Sequence, residues 1–202
     1  FLEGESQSYF ASGDIKLKTT YQSGEKSGPY EIWSSSARLE EKGSFFGNQL
    51  HGQVQRWYST GVSASIASFD RGVLDGVVQI FTLSNALKRE LFYDKGAEIA
   101  RFEYHDNGRF KRVLILDDGE TRYERKWNKS GIEETEEKYI LGTKLDSEFY
   151  LSGFLKYVGI YKNGKKHGME WWFDEQHNPR KVNLYYYGET IVSYELAYET
   201  IE

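Results

Sequence analysis

Chemistry in this chain would have to come from four histidines, a scatter of carboxylates and many aromatic rings. The histidines are His51, His105, His167 and His177. A zinc-type site needs several such donors at short helical or turn spacing. No two of these histidines stand at such a spacing with a third donor, and there is no H-E-x-x-H run. His51 and His167 each precede a glycine, Gly52 and Gly168, which marks both as turn residues. Cysteine is absent, so a thiolate nucleophile, a disulfide and a cysteine metal site are all excluded. No G-x-S-x-G nucleophile elbow occurs. The glycines also lack the strand-to-helix setting that a phosphate-binding loop requires. The densest carboxylates are Glu133, Glu134, Glu136 and Glu137, with Asp117 and Asp118 upstream. Nothing encloses them in a pocket that would shift their pKa values usefully, so they read as a solvated face open to a basic partner. The expectation is a protein without catalytic residues, cofactor or metal, and not an enzyme.

The aromatic side chains offer binding in place of catalysis. Trp171-Trp172-Phe173 and Tyr185-Tyr186-Tyr187 place rings on both sides of any strand, because neighbours along a strand point to opposite faces. One core cannot bury all six. Trp171, Trp172, Tyr186 and Tyr187 are therefore candidate partner-binding residues. The alternative is a thin aromatic core with these rings capping its end.

Composition agrees with a thin structure. Mean hydropathy is low at -0.68, yet 16% of residues are aromatic, and large rings bury much area per residue. Net charge is -5, from 26 basic and 31 acidic residues. The most basic stretch, Lys88 to Lys129, interleaves 11 Lys/Arg with 9 Asp/Glu. No field of one sign singles out nucleic acid, and a membrane surface is not favoured. No apolar run approaches the ~18 residues of a membrane-spanning helix. The chain starts at Phe1 and not at Met; an exported or cell-envelope setting is the expectation.

The elements that hold these residues follow from a repeat. Tyr9, Trp33, Trp57, Phe81, Tyr104, Trp127, Phe149 and Phe173 are spaced by 24, 24, 24, 23, 23, 22 and 24 residues. Twelve residues after each stands a second anchor: Tyr21, Phe45, Phe69, Tyr93, Leu116, Tyr139, Tyr161 and Tyr185. Glycines keep the same frame. Gly13, Gly61, Gly108, Gly131 and Gly153 lie four after a first anchor. Gly24, Gly72, Gly96, Gly119, Gly142, Gly164 and Gly188 lie three after a second, and Gly28, Gly52, Gly76 and Gly168 four further on from those turns. Counting Gly4, 17 of the 20 glycines fit. Gly and Asn adopt positive φ cheaply, so fixed recurrence marks turns. Between turns the apolar period is two, as in Ile15, Leu17, Thr19 and Tyr21. Each repeat is strand, turn, strand, turn. The polar run Ile132 to Tyr139 is the weakest strand, and helix has no room elsewhere.

The segments Tyr161-Lys162-Asn163-Gly164-Lys165-Lys166-His167-Gly168 and Trp57-Tyr58-Ser59-Thr60-Gly61 resemble the MORN-repeat variant family. The resemblance covers residues 4 to about 192. Repeats four to six depart most from it, with Ala100, Tyr123 and Asp146 at the position of Gly28, Gly52, Gly76 and Gly168. It implies an all-β, elongated single-sheet array of about eight tandem hairpins in an antiparallel meander, with residues 193–202 as a capping strand or tail. It also implies a protein–protein interaction scaffold, bacterial members including some labelled antitoxins. A surface module for lipid headgroups or glycans is the alternative, and fold alone decides neither.

Overall fold

In the computed structural model, residues 1–117, 120–132, 143–152, 154–176, 179–186 and 188–195 are described. They form an all-β fold of strands β1 (Gly4–Tyr9), β2 (Ile15–Gln22), β3 (Glu25–Trp33), β4 (Leu39–Phe46), β5 (Gln49–Leu50), β6 (Gly52–Trp57), β7 (Ser63–Asp70), β8 (Val73–Phe81), β9 (Leu87–Asp94), β10 (Ala97–Tyr104), β11 (Phe110–Asp117), β12 (Glu120–Lys126), β13 (Thr143–Phe149), β14 (Leu155–Lys162), β15 (Lys165–Phe173), β16 (Pro179–Tyr186) and β17 (Glu189–Glu195). The order within each sheet is the order of the chain. One sheet runs β1-β2-β3-β4-β6-β7-β8-β9-β10-β11-β12, with β5 on β4, and a second runs β13-β14-β15-β16-β17. Two compact units are present, Phe1–Gly108 with Leu116–Glu120, and Arg109–Ile115 with Thr121–Glu202. The polar run expected as a strand at 133–139, and Gly142, lie outside the described residues.

Two kinds of turn build each hairpin. Tyr9, Trp33, Trp57, Phe81, Phe149 and Phe173 face Ile15, Leu39, Ser63, Leu87, Leu155 and Pro179 across the first turn. Inside it the backbone bonds recur, as in Tyr58 N–H to Val62 O at 2.9 Å and Gly61 N–H to Tyr58 O at 2.8 Å. The fourth loop residue takes positive φ at Gly13, Ala37, Gly61, Asn85, Gly108 and Gly131. The second turn is a two-residue hairpin with both central residues at positive φ, as in Ser23-Gly24, Arg71-Gly72, Lys95-Gly96 and Asn163-Gly164. That geometry matches the right-handed strand twist. Gly28, Gly52, Gly76 and Gly168 are not turn residues. They lie within or at the start of strands at positive φ, opposite Phe45, Phe69, Tyr93 and Tyr185. The register slips beside this position, at Thr19/Tyr21, Ala67/Phe69 and Gly159/Tyr161, which marks a bulge.

The turns also clasp one repeat to the next. Gly24, Asn48, Gly72, Gly96 and Gly188 donate their N–H groups to the carbonyls of Leu2, Lys26, Leu50, Leu74 and Lys166 at 2.7–2.9 Å. Tyr58 and Tyr150 donate O–H bonds to the carbonyls of Phe81 and Phe173, both at 2.8 Å.

In the first unit the core is one cross-strand row. Thr19 faces Tyr30, Tyr30 faces Gly43, and Val54, Ala67, Val78 and Leu91 continue it; Thr19, Tyr30, Val54, Ala67 and Leu91 are buried. On β9 and β10 the other face is covered as well, since Glu90, Leu91 and Phe92 are consecutive and all buried. Trp33, Trp57 and Phe81 are half-buried, whereas Tyr104 and Trp127 are buried. In the second unit Leu155, Val158, Ile160, Trp171, Phe173 and Val182 are buried. β17 begins directly after the Gly188 turn, so the boundary expected at residue 193 falls inside a strand. Of the expected capping segment, residues 196–199 lie outside the described residues.

Gly43 has ordinary φ, but a Cβ there would stand 2.9 Å from Val54 Cγ2 and 3.0 Å from Tyr30 Cε1. Gly43→Ala should lower stability by about 1–3 kcal/mol through overpacking. Gly164→Asn, at φ +75 with open space around it, should cost under about 1 kcal/mol, because Asn tolerates this conformation. Urea unfolding midpoints measure both.

Candidate functional site

The most organised polar chemistry consists of three carboxylates on strands, each taking a phenolic O–H. Glu41 accepts from Tyr30 at 2.5 Å and from Arg56 Nε at 2.5 Å. Glu90 is wholly buried and accepts from Tyr104 at 2.5 Å and from Gln79 Nε2 at 3.0 Å. Glu170, 1% exposed, accepts from Tyr157 at 2.7 Å, from Lys166 Nζ at 2.5 Å and from Asn183 Nδ2 at 3.2 Å. Ser193 on β17 extends the last network by donating to Asn183 Oδ1 at 2.6 Å.

Two glycines outside the turn frame make room for these pairs. Gly43 faces Tyr30 and Gly159 faces Glu170. A Cβ at Gly43 would press on the Tyr30 ring, and one at Gly159 would run into the Tyr157 hydroxyl. The missing side chain lets each tyrosine lie across the strand and reach its carboxylate. Sequence reasoning did not single out Glu41, Glu90 or Glu170. The signal was in view: Gly43 and Gly159 are both two residues before a second anchor, where no turn needs a glycine.

The networks differ in charge. Burial pushes the Glu90 carboxyl up, and bonds from the neutral Tyr104 and Gln79 only partly offset it. Burial opposes charge on Glu170 too, but the Lys166 ammonium, with Tyr157, Tyr185 and Asn183, outweighs it and holds the carboxyl below its usual range. Tyr30 and Tyr157 are raised, first by burial and then by their hydrogen bonds to neighbouring side chains, the carboxylates among them. Neither phenol is poised to ionise. The carboxylates and their partners satisfy one another, which locks strands together.

The expected aromatic patch is divided by the structure. Trp171 is 2% exposed and stacks on Phe173 with ring centroids 6.5 Å apart, so it belongs to the core and presents no ring to a partner. Trp172 is half-buried, with Tyr157 5.2 Å away and Lys166 and Lys181 over it at 5.9 and 5.6 Å. Tyr187 and the side chain of Tyr186 lie outside the described residues. A second aromatic surface lies on the first unit, where Lys18 sits over Trp33 at 5.7 Å and Lys42 over Trp57 at 5.5 Å. Lys18, Glu31 and Lys42 face one another across β2, β3 and β4, with Lys18 Nζ 3.5 Å from Glu31. Among the described residues no group of three or more His, Cys, Asp or Glu could hold a metal ion.

One stretch of the chain matches a family model. Residues 2–23 match the MORN repeat variant model. The matched stretch is the hairpin of β1 and β2. MORN repeats are associated with binding and scaffold roles. No curated protein matches the chain. Among solved structures, a mutant of S. aureus TarM in complex with fondaparinux, alpha-GlcNAc-glycerol and UDP aligns at 16% identity and TM-score 0.24, over 58% of this chain and 19% of that one. A second crystal structure of TarM aligns at 16% identity and TM-score 0.24, over 59% and 19%. The chain thus spans about a fifth of the length of those proteins.

The two buried carboxylates should give opposite pH responses. Glu170 ionises more readily folded than unfolded, so its stabilisation is present above the unfolded carboxyl value and is lost as pH falls through the lower folded one. Glu90 binds its proton more tightly folded than unfolded, so its contribution is present below the unfolded value and is lost as pH rises through the folded one. Glu170→Gln should cost about 1–3 kcal/mol at neutral pH and progressively less in acid. Glu90→Gln should be neutral or stabilising at pH 7 and without advantage in acid. Urea midpoints across pH read both signs.

Proposed function

We propose that this chain is a non-enzymatic protein–protein interaction scaffold, and that the face of β2–β6 carrying Trp33 and Trp57 meets the partner. The observation that carries this reading is how the reactive groups are used. Glu41, Glu90 and Glu170 are saturated by their own neighbours, whereas Trp33 and Trp57 are half-exposed rings under lysines. Half-exposed tryptophans suit a contact surface because they bring large area at small entropic cost. The Lys18-Glu31-Lys42 row supplies alternating charge, which selects among partners more than it adds affinity. An antitoxin or immunity-type role is a concrete form of this reading: the scaffold would mask another protein by covering it with a broad sheet.

Immobilised chain should retain a protein partner at fixed stoichiometry. Trp33→Ala combined with Trp57→Ala should weaken capture at least about tenfold while circular dichroism stays unchanged. Undiminished capture by the double variant would remove this face from the reading. Capture of anionic vesicles or glycans with no protein retained would replace the reading by a surface-binding one.

A further inference from the structure

Lys42, Ser44 and Phe46 alternate along β4 onto the face that carries Trp57, because β3 and β4 pair without a shift from Glu41 to Phe45 and Lys42 stands opposite Gln55. Each end of this strip holds a cation on a ring. Lys42 Nζ lies 5.5 Å from the Trp57 centroid, and Arg71 Cζ lies 5.6 Å from the Phe46 centroid. Lys42, Phe46 and Arg71 are all exposed. Among the described residues neither cation forms an ion pair, although acids outnumber bases in the chain as a whole. The acids nearby are engaged elsewhere or lie outside the strip. Glu31 is 3.5 Å from Lys18 Nζ, Asp70 is 3.2 Å from His51 Nδ1, and Glu40 precedes Lys42 at the far end. A ring beneath a cation fixes where the charge sits, which lowers the ordering cost of a further contact to it. Between the two ends lie Ser44 and Gln53, which are uncharged and able to hydrogen-bond.

We infer that the protein partner lays an extended acidic segment along β4, with two carboxylates four residues apart, one on Lys42 and the other on Arg71. This deepens the reading above and stands only if the face of Trp33 and Trp57 is the contact surface. Four residues of strand put about 13 Å between Lys42 and Phe46. In an extended segment, residues four apart span the same about 13 Å and share a face, so both acids reach the strip at once. An α-helix needs about eight or nine residues for that span, which makes the spacing a signature of the extended form. Two fixed cations with neutral groups between them suit two set charges on a chain. A membrane surface rewards a dense cluster of bases instead.

The probe is a dye-labelled peptide Glu-Thr-Val-Thr-Glu, blocked at both ends, added to the 202-residue chain at low salt. Fluorescence anisotropy should show it binding more tightly than Glu-Thr-Glu-Thr-Val, which has the same composition and the wrong spacing. Lys42→Gln should weaken the first peptide about two- to fivefold, and so should Arg71→Asn, whose new residue suits φ 44. The double variant should lose the product of the two, since sites this far apart do not couple. Urea midpoints establish that the variants stay folded. Equal binding of the two peptides overturns the inference, as does undiminished binding to the double variant or no binding into the millimolar range. Phosphatidylserine vesicles that bind through the same two cations, with the peptide left unbound, overturn it too. If capture of the protein partner falls with Trp33→Ala and Trp57→Ala but not with Lys42→Gln and Arg71→Asn, the contact face stands and the acidic segment is wrong. If capture survives both pairs of substitutions, the face itself is wrong and the inference falls with it.

Discussion

Everything in this fold depends on backbone that turns left at two set places in the repeats, as the described turns show. The five-residue loop after the first anchor and the two-residue hairpin after the second both require positive φ, and L-residues other than Gly and Asn pay for it. Once those places are fixed, so are strand length, register and the face each side chain takes. A one-residue slip would exchange the buried row of Thr19, Tyr30, Val54 and Ala67 for the lysine-bearing face. Burial of that row then stabilises a register the turns have already chosen.

Carboxylates on the strands look wasteful beside such a thin core, because Glu90 and Glu170 are removed from water and Glu41 partly so. Their arrangement answers the cost. Every one takes an O–H from a tyrosine, and Glu41 and Glu170 add a basic group. A polar pair of this kind is satisfied in one register and exposed as a fault in any other. It therefore adds to uniqueness what it subtracts from raw burial energy.

The repeat was legible because it rests on residue types with narrow conformational uses. Ile15, Leu39, Ser63, Leu87 and Leu155 stand six before a second anchor, and each opens a strand. The frame glycines Gly24, Gly72, Gly96 and Gly164 all take positive φ. What the sequence hid was tertiary. Alternation alone gives Trp171 and Trp172 opposite faces but not which face is covered, and Trp171 lies in the core while Trp172 sits beneath two lysines. The third glycine of the frame looked like a turn because a bulge and a turn ask the same freedom of the backbone. Glu41, Glu90 and Glu170 passed as ordinary strand charges. Their partners come from neighbouring strands, 11 residues away for Tyr30 and 14 for Tyr104, and residue spacing alone does not tie them together.

The clasps from the N–H groups of Gly24, Asn48, Gly72, Gly96 and Gly188 each reach only the repeat before. Such nearest-neighbour bonding makes the number of units an adjustable quantity. A gene that gained or lost one whole period would hand the next clasp an equivalent carbonyl, and the span of the protein could drift by steps of one hairpin while every local contact survived. Over evolutionary time such a molecule changes its reach by whole hairpins without unpicking its stitching.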